Sequence, residues 1–151
     1  MLWHKGSIEN PPKHIWYEAH GVMCHAHQWL NDNKATIVFI HGAIANNVWW
    51  EHIACQINDA NILSVNLSGH GKSHWDAPYN LTKHAKEVLA LIEHYAQGKI
   101  YLIGHSYGGA VAALVSSMTP IQKVVLVDTP LKITQKPREP SAKSYRKHTY
   151  S

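Results

Sequence analysis

Short apolar runs alternate along this chain with segments whose apolar residues recur at helical spacing. Apolar, β-branched runs of this kind are typical of strands that are buried on both faces of a parallel sheet. Residues 81–97 carry an apolar side chain at every third or fourth position and are followed by Gly98, which predicts a helix and its end. The pattern predicts strands at 35–40, 62–67, 100–103 and 124–127, and helices at 47–57, 81–97 and 107–118.

The alternation of strands and helices predicts an α/β fold, with a mostly parallel sheet covered by helices on both faces. The segment 15–30 differs, because it contains two short strand patterns hinged near Gly21. Such a hinge predicts an antiparallel pair, which we expect at one edge of the sheet.

Composition supports one globular domain. The chain has 151 residues, of which 45% are hydrophobic and 16% are charged. No apolar run approaches the roughly 18 to 20 residues that span a bilayer, and the start lacks the apolar stretch of a signal peptide. We therefore expect no membrane association, a cytoplasmic location, and reduced thiols at Cys24 and Cys55.

The net charge of +4 comes from the end of the chain. Residues 132–151 hold six basic side chains and one acidic one, whereas residues 1–131 have a net charge of −1. We therefore predict a core at 1–131, followed at 132–151 by a flexible basic linker or the start of a cap. Because the core has no basic face, we expect no nucleic-acid partner.

A G-x-S-x-G pattern follows the predicted strand at 100–103 and opens the predicted helix at 107–118, which is the context that gives the pattern meaning. A tight strand-to-helix turn exposes the hydroxyl of Ser106 beside a helix N-terminus. An acyl-transfer site also needs two donors for the substrate oxyanion. We expect the backbone N–H of Tyr107 as one donor and that of Ala43 as the other, with Ile44 as the second choice.

Four segments, HGAIANNVWW, NLSGHGKS, GHSYGG and LVDTP, resemble in order and spacing the N-terminal half of an α/β-hydrolase, over about residues 15–131. The resemblance implies that Ser106 is the nucleophile and that Trp49 begins the helix after the first active-site loop. It implies a serine hydrolase that acts on an ester-like carbonyl of a small molecule and needs no cofactor. One position departs from the family pattern, since Asn66 stands where Asp is usual.

The four segments do not contain both the acid and the base that such a site needs. The resemblance places both after a cap, which leads us to expect a fragment or an incomplete gene product. Asp128 is a candidate acid or else a hydrogen-bonded turn residue, and His41 is a structural histidine or a direct participant. We identify no base. The alternative function is an inactive half-domain that binds or dimerises, or that needs a C-terminal partner.

Two further features have competing interpretations. His25 and His27 share one face of a strand, which is typical of a metal pair but also of an ordinary exposed face. With no third ligand at a supporting spacing, we expect an exposed face and no metal. Trp49 and Trp50 either line a substrate pocket or pack in the core.

Overall fold

The computed structural model describes residues 9–31 and 34–130, which form a six-stranded sheet with helices on both faces. The strands are β1 (Lys13–Ala19), β2 (Val22–Trp29), β3 (Ala35–Ile40), β4 (Asn61–Asn66), β5 (Lys99–His105) and β6 (Lys123–Val127). The helices are α1 (Glu51–Ala54), which continues a 3-10 turn at Asn47–Trp50, α2 (Leu81–Tyr95) and α3 (Tyr107–Met118).

The strand order is β1-β2-β4-β3-β5-β6. The four strands β4, β3, β5 and β6 run parallel, whereas β1 and β2 form an antiparallel pair and β2 is antiparallel to β4. The predicted α/β class, the mostly parallel sheet and the antiparallel pair at one edge are therefore confirmed. In the parallel part, the carboxyl ends of β3 and β5 lie side by side, since Ile40 pairs with Gly104.

Two apolar clusters hold the layers together, one on each face of the sheet. Under α2 and α3 the larger cluster buries Leu91, Leu102 and Val111 completely, and each such side chain contributes about 1.5–3 kcal/mol on burial. The smaller cluster packs α1 against the opposite face. Its buried members are Trp29, Phe39, Trp50, Ala54, Cys55, Ala60 and Ile62.

The predicted helix at 47–57 is shorter and less regular than expected. Asn46 caps its start by accepting the Val48 N–H at 3.0 Å, and the first turn is 3-10. The backbone after Ala54 again closes in 3-10 fashion, because Gln56 N–H bonds to the carbonyl three residues earlier. The periodic pattern of this segment thus reports the side that faces the core, but not the type of helix.

Two expectations from the composition can be compared with the described part of the chain. Within residues 9–31 and 34–130 no helix has the length and apolar character needed to cross a membrane. Cys24 and Cys55 are both free and buried. The predicted linker or cap segment at 132–151 lies outside the described residues.

Candidate active site

Ser106 occupies the turn between β5 and α3 with a backbone conformation that few residues adopt. Its φ is 51° and its ψ is −116°, and a positive φ is strained for any residue that carries a Cβ. Its N–H is held by the carbonyl of Val127 in the adjacent strand at 2.9 Å. The strain is thus maintained by the sheet on one side and by the start of α3 on the other.

The glycines around Ser106 are required by close backbone approach. A Cβ at Gly104 would overlap the carbonyl of Gly108, and a Cβ at Gly108 would overlap the carbonyl oxygens of Ile40 and His41. The first turn of α3 therefore lies directly against the end of β3. This packing brings the Ser106 turn next to the loop that follows β3.

The loop after β3 is a tight turn anchored by its carbonyl groups. Gly42 O accepts the Ala45 N–H at 3.1 Å and lies 2.7 Å from Nδ1 of His41. The carbonyl of Ala43 accepts from Nε2 of His70 at 2.6 Å. Ile44 at the tip is 97% exposed.

His41 is fully buried, and both of its ring nitrogens have partners. Nε2 accepts the Leu67 N–H at 3.1 Å, so the ring proton is on Nδ1 and is donated to the carbonyl of Gly42. Burial is the main cause that lowers its pKa to about 3, followed by the nearby ring of His70. His41 is therefore a neutral ring that ties the loop to Leu67, the residue that directly follows β4.

Sequence reasoning missed His84 on α2. Its Nδ1 accepts from the Tyr107 hydroxyl at 2.7 Å, and its Nε2 donates to the carbonyl of Ser68 at 3.2 Å. Burial lowers its pKa to about 4. The signal was present, because His84 lies four residues before Val88 on the buried stripe of α2.

Trp49 and Trp50, which the sequence predicted either to line a substrate pocket or to pack in the core, lie in different environments. Trp50 is 3% exposed in the smaller core cluster, whereas Trp49 is 44% exposed and stacks on the ring of His105 with centroids 4.5 Å apart. His105 has its Nδ1 buried without a hydrogen-bond partner among the described residues. The ring of His105 therefore faces the 3-10 turn Asn47–Trp50 that precedes α1.

The sequence profile of the α/β hydrolase fold matches residues 35–147. The chain belongs to the α/β-hydrolase family. It is 30% identical over 103 residues to the lipase LipV of Mycobacterium tuberculosis, covering 68% of this chain and 40% of that protein. It is also 31% identical over 99 residues to a putative esterase/lipase of Haemophilus influenzae, covering 64% and 34%.

Solved structures agree on the α/β-hydrolase fold. The thioesterase domain of the curacin biosynthetic pathway superposes with a TM-score of 0.73 and 20% identity, covering 84% of this chain and half of that domain. A putative lipase of Acinetobacter baumannii gives 0.71 and 19% identity, covering 85% and 45%. The chain thus spans half or less of the length of these relatives.

Asp128 is exposed and directly follows β6, the strand next to β5. Its φ is 48°, and its carboxylate makes no hydrogen bond within the described residues. The same part of the chain contains no histidine that hydrogen-bonds to the Ser106 hydroxyl. The described portion of this α/β-hydrolase therefore brings Ser106, Tyr107 and Ala43 together at the carboxyl ends of β3 and β5. It does not contain an assembled acid and base at this position.

The expected exposed face at His25 and His27 is wrong. The two side chains are only 1% and 5% exposed, and their rings contact aromatic neighbours: the ring centroids of Trp16 and His25 are 4.9 Å apart, and those of His27 and Trp29 are 6.0 Å apart. A third histidine, His14, joins them from β1. Sequence spacing could not reveal it, since only the pairing of β1 with β2 brings His14 opposite His27.

Proposed function

We propose that this α/β-hydrolase uses Ser106 to attack the carbonyl of an ester-like small molecule. The observation that carries the proposal is the positive φ of Ser106 at the junction of β5 and α3. Backbone strain at one serine, held between two crowded glycines, is the kind of cost that proteins retain at functional sites. The esterase and lipase relatives support the same class of reaction.

In this mechanism a histidine base takes the Ser106 hydroxyl proton as the serine oxygen bonds to the carbonyl carbon, and the carbonyl oxygen takes the negative charge. The leaving group then departs with a proton, and water releases the acyl group from the serine. The Tyr107 N–H lies at the N-terminus of α3, where the helix dipole favours negative charge. One well-placed oxyanion donor contributes about 3–4 kcal/mol to transition-state stabilisation.

The geometry of the Gly42–Ala43 peptide favours Ala43 as the second donor. In a trans peptide the C=O and the following N–H point in opposite directions. Because Gly42 O is held by His41 and by Ala45, the Ala43 N–H is aimed away from these anchors. We therefore assign His41 as a positioning residue for the oxyanion donor.

Ile44 remains the second choice for this donor. The Ala43 carbonyl is held by His70, which orients the Ile44 N–H in the same way through the next peptide. His70 itself lies in the loop after β4 and is only partly buried, so this second anchor depends on a loop rather than on a buried ring. The buried anchor of the first peptide is the reason for preferring Ala43.

We also propose Asp128 as the acid that orients a histidine base. Asp128 follows the strand adjacent to Ser106, and its carboxylate is free of hydrogen bonds within residues 9–31 and 34–130. An exposed carboxylate without a structural partner is available to an incoming imidazole. Asp128→Asn tests this assignment, because the amide cannot stabilise an imidazolium.

The test of the nucleophile is covalent labelling of the purified 151-residue protein by a fluorophosphonate, followed by peptide mass spectrometry. We expect the added mass on Ser106, no labelling of Ser106→Ala, and unchanged labelling of Ser116→Ala. Ser116 is a matched control, since it is an exposed serine on the same helix and bonds only to a helix carbonyl. Circular dichroism establishes that all three proteins are folded.

Labelling of a folded wild-type protein at another serine, or its complete absence, would refute the role of Ser106 as an activated nucleophile in this chain. Labelling that survives in Asp128→Asn at the wild-type rate would refute the proposed acid while leaving the nucleophile in place. Hydrolysis of short p-nitrophenyl esters provides a second readout of the same variants.

A second candidate function is pairing of two copies through β6. Among the described strands β6 pairs only with β5, and its Val125, Leu126 and Val127 are exposed. Apolar edge strands are templates for pairing with another chain. Light scattering tests this candidate: we expect a dimer that Val125→Lys dissociates and that Met23→Lys, an exposed site on the interior strand β2, leaves intact. A monomeric wild-type protein would exclude it.

A further inference from the structure

Three histidines from the antiparallel pair β1–β2 form a compact cluster. The ring centroid of His14 lies 5.0 Å from that of His25 and 4.7 Å from that of His27, and the centroids of His25 and His27 are 5.2 Å apart. One ring nitrogen from each residue can be chosen so that all three lie within 4.8 Å of one another. This cluster is built from residues that the proposed hydrolysis does not use.

The pairing of the strands explains why the cluster forms. His14 is opposite His27, and His25 lies two residues before His27 on the same face of β2. His25 and His27 are buried, whereas His14 is exposed. A ligand can therefore reach the cluster from solvent on the β1 side.

The hydrogen bonding of the cluster is incomplete. Nδ1 of His14 and Nε2 of His25 are 2.8 Å apart, so these two rings share one hydrogen bond. Nδ1 of His27 is buried and has no hydrogen-bond partner among the described residues. A buried polar nitrogen without a partner costs stability, and a ligand that engages it removes that cost.

The buried rings are in the state that binds metal. Burial, then the neighbouring His14, lowers the pKa of His25 to about 4 and that of His27 to about 3. Both are therefore neutral near pH 7, and a neutral imidazole is a good ligand for zinc, copper and nickel. Lys72 contributes in the same direction, and its charge opposes an incoming cation.

We propose that His14, His25 and His27 bind a divalent transition metal ion, Zn²⁺ by preference, with a water molecule as the fourth ligand. Tetrahedral zinc with Zn–N bonds of 2.0–2.1 Å requires nitrogens about 3.4 Å apart. The three ring nitrogens lie within 4.8 Å of one another. Side-chain movements of about 1 Å bring them to the spacing that zinc requires, and the exposed His14 can make such a movement. Three nitrogen ligands disfavour calcium and magnesium, which prefer oxygen.

Asn66 controls the tautomer of His25. Its Oδ1 accepts the Asn47 N–H at 2.8 Å, so its Nδ2 faces Nδ1 of His25 at 2.9 Å and donates to it. The proton of the neutral His25 ring is then on Nε2, the nitrogen next to His14. Metal binding at Nε2 moves this proton to Nδ1 and requires the Asn66 amide to turn.

Asn66→Asp removes this obstacle. A carboxylate accepts both the Asn47 N–H and a proton on His25 Nδ1, which leaves Nε2 free for the metal. Carboxylate partners of metal-bound histidines typically change metal affinity by about 10- to 100-fold. We therefore expect Asn66→Asp to bind Zn²⁺ more tightly than the wild-type protein by a factor in this range, an effect that a merely structural role of Asn66 would not produce.

The experiment is a titration of the tag-free 151-residue protein with Zn²⁺ by calorimetry, and with Co²⁺ by the visible absorption of its tetrahedral complexes. We expect one ion per chain. His14→Ala should weaken binding by more than the 10- to 100-fold typical of an outer-shell partner. His94→Ala is the matched control, since His94 is an exposed histidine on α2 whose Nδ1 bonds to a helix carbonyl.

The outcomes are decisive because His14 is exposed and its removal leaves the core intact. A wild-type protein without the tetrahedral Co²⁺ spectrum, or His14→Ala with wild-type affinity, would overturn the proposal. Equal weakening in His94→Ala would show nonspecific binding and would overturn it too. Ser106→Ala should bind the ion like the wild-type protein, so a failure of the proposed hydrolysis leaves this test unaffected.

Discussion

Replacing His41 tests the anchor of the loop that carries the proposed oxyanion donor. The ring is fully buried, accepts the Leu67 N–H at 3.1 Å and donates to the Gly42 carbonyl at 2.7 Å. Two variants separate the causes: His41→Phe removes both hydrogen bonds but keeps most of the volume, and His41→Ala leaves a cavity as well.

The magnitude follows from which groups lose their partners. In either variant the buried Leu67 N–H has no acceptor, which costs about 1–3 kcal/mol. Gly42 O keeps the bond from Ala45, so it adds little. His41→Ala adds a cavity the size of an imidazole ring, and we expect a total of about 3–5 kcal/mol, in the range of large-to-small core substitutions.

The pH dependence gives a second, independent readout. The pKa of His41 is lowered from 6.5 to about 3 in the folded state, so between these values the unfolded chain binds a proton that the folded one does not. The contribution of neutral His41 to the free energy of unfolding is fully present above pH 6.5 and is lost as the pH falls toward 3. Between pH 7 and pH 5 the wild-type protein should lose about 2 kcal/mol through His41, whereas His41→Phe loses none of it.

Urea unfolding followed by far-UV circular dichroism at pH 7 and pH 5 measures both effects, provided that the m-value is unchanged. The destabilisation by His41→Phe should be about 2 kcal/mol smaller at pH 5 than at pH 7. His94→Ala, an exposed control, should stay within about 0.5 kcal/mol of wild type. A cost of His41→Ala below about 1 kcal/mol, or a His41→Phe difference that is constant with pH, would refute this reasoning.

Three further predictions concern the start of α3 and the core. Gly108→Ala should destabilise by at least about 1–3 kcal/mol in urea unfolding, because its Cβ would overlap backbone carbonyls of β3; wild-type stability would contradict the packing. Tyr107→Phe should cost about 1–3 kcal/mol by the same measurement, since it leaves buried His84 Nδ1 without its 2.7 Å donor; a neutral effect would argue against that bond. Cys24 should react with a disulfide reagent only on unfolding, because burial and then Glu87 raise its pKa to about 12; rapid labelling of the native protein would disprove it.

The strands and the long helices were predictable because their signals are local. The strand at 35–40 and the helix at 107–118 agree with the structure at both ends, and the remaining strands differ by one or two residues. The helix at 47–57 was not predicted accurately, since its apolar spacing is compatible with a 3-10 turn as well as with an α-helix. The family was evident from four motifs, which the profile match confirms.

The candidate site, like the fold, was predicted from the sequence only in part. The G-x-S-x-G pattern located Ser106 between a strand and a helix, because a tight turn of this type requires small neighbours. The partners of His41 and His84 are not visible in the sequence. Each of them depends on which buried group lies across from it in another element.

The sequence by itself determined the α/β class, the order of strands and helices, and the position of Ser106 between a strand and a helix. These follow from hydrophobic periodicity and turn chemistry, which act over a few neighbouring residues. Only the tertiary structure decided the fate of the histidines: His25 and His27 are buried and are joined by His14. The physical reason is that strand register and the packing of a later loop, both long-range, decide which side chains meet and which lose contact with water.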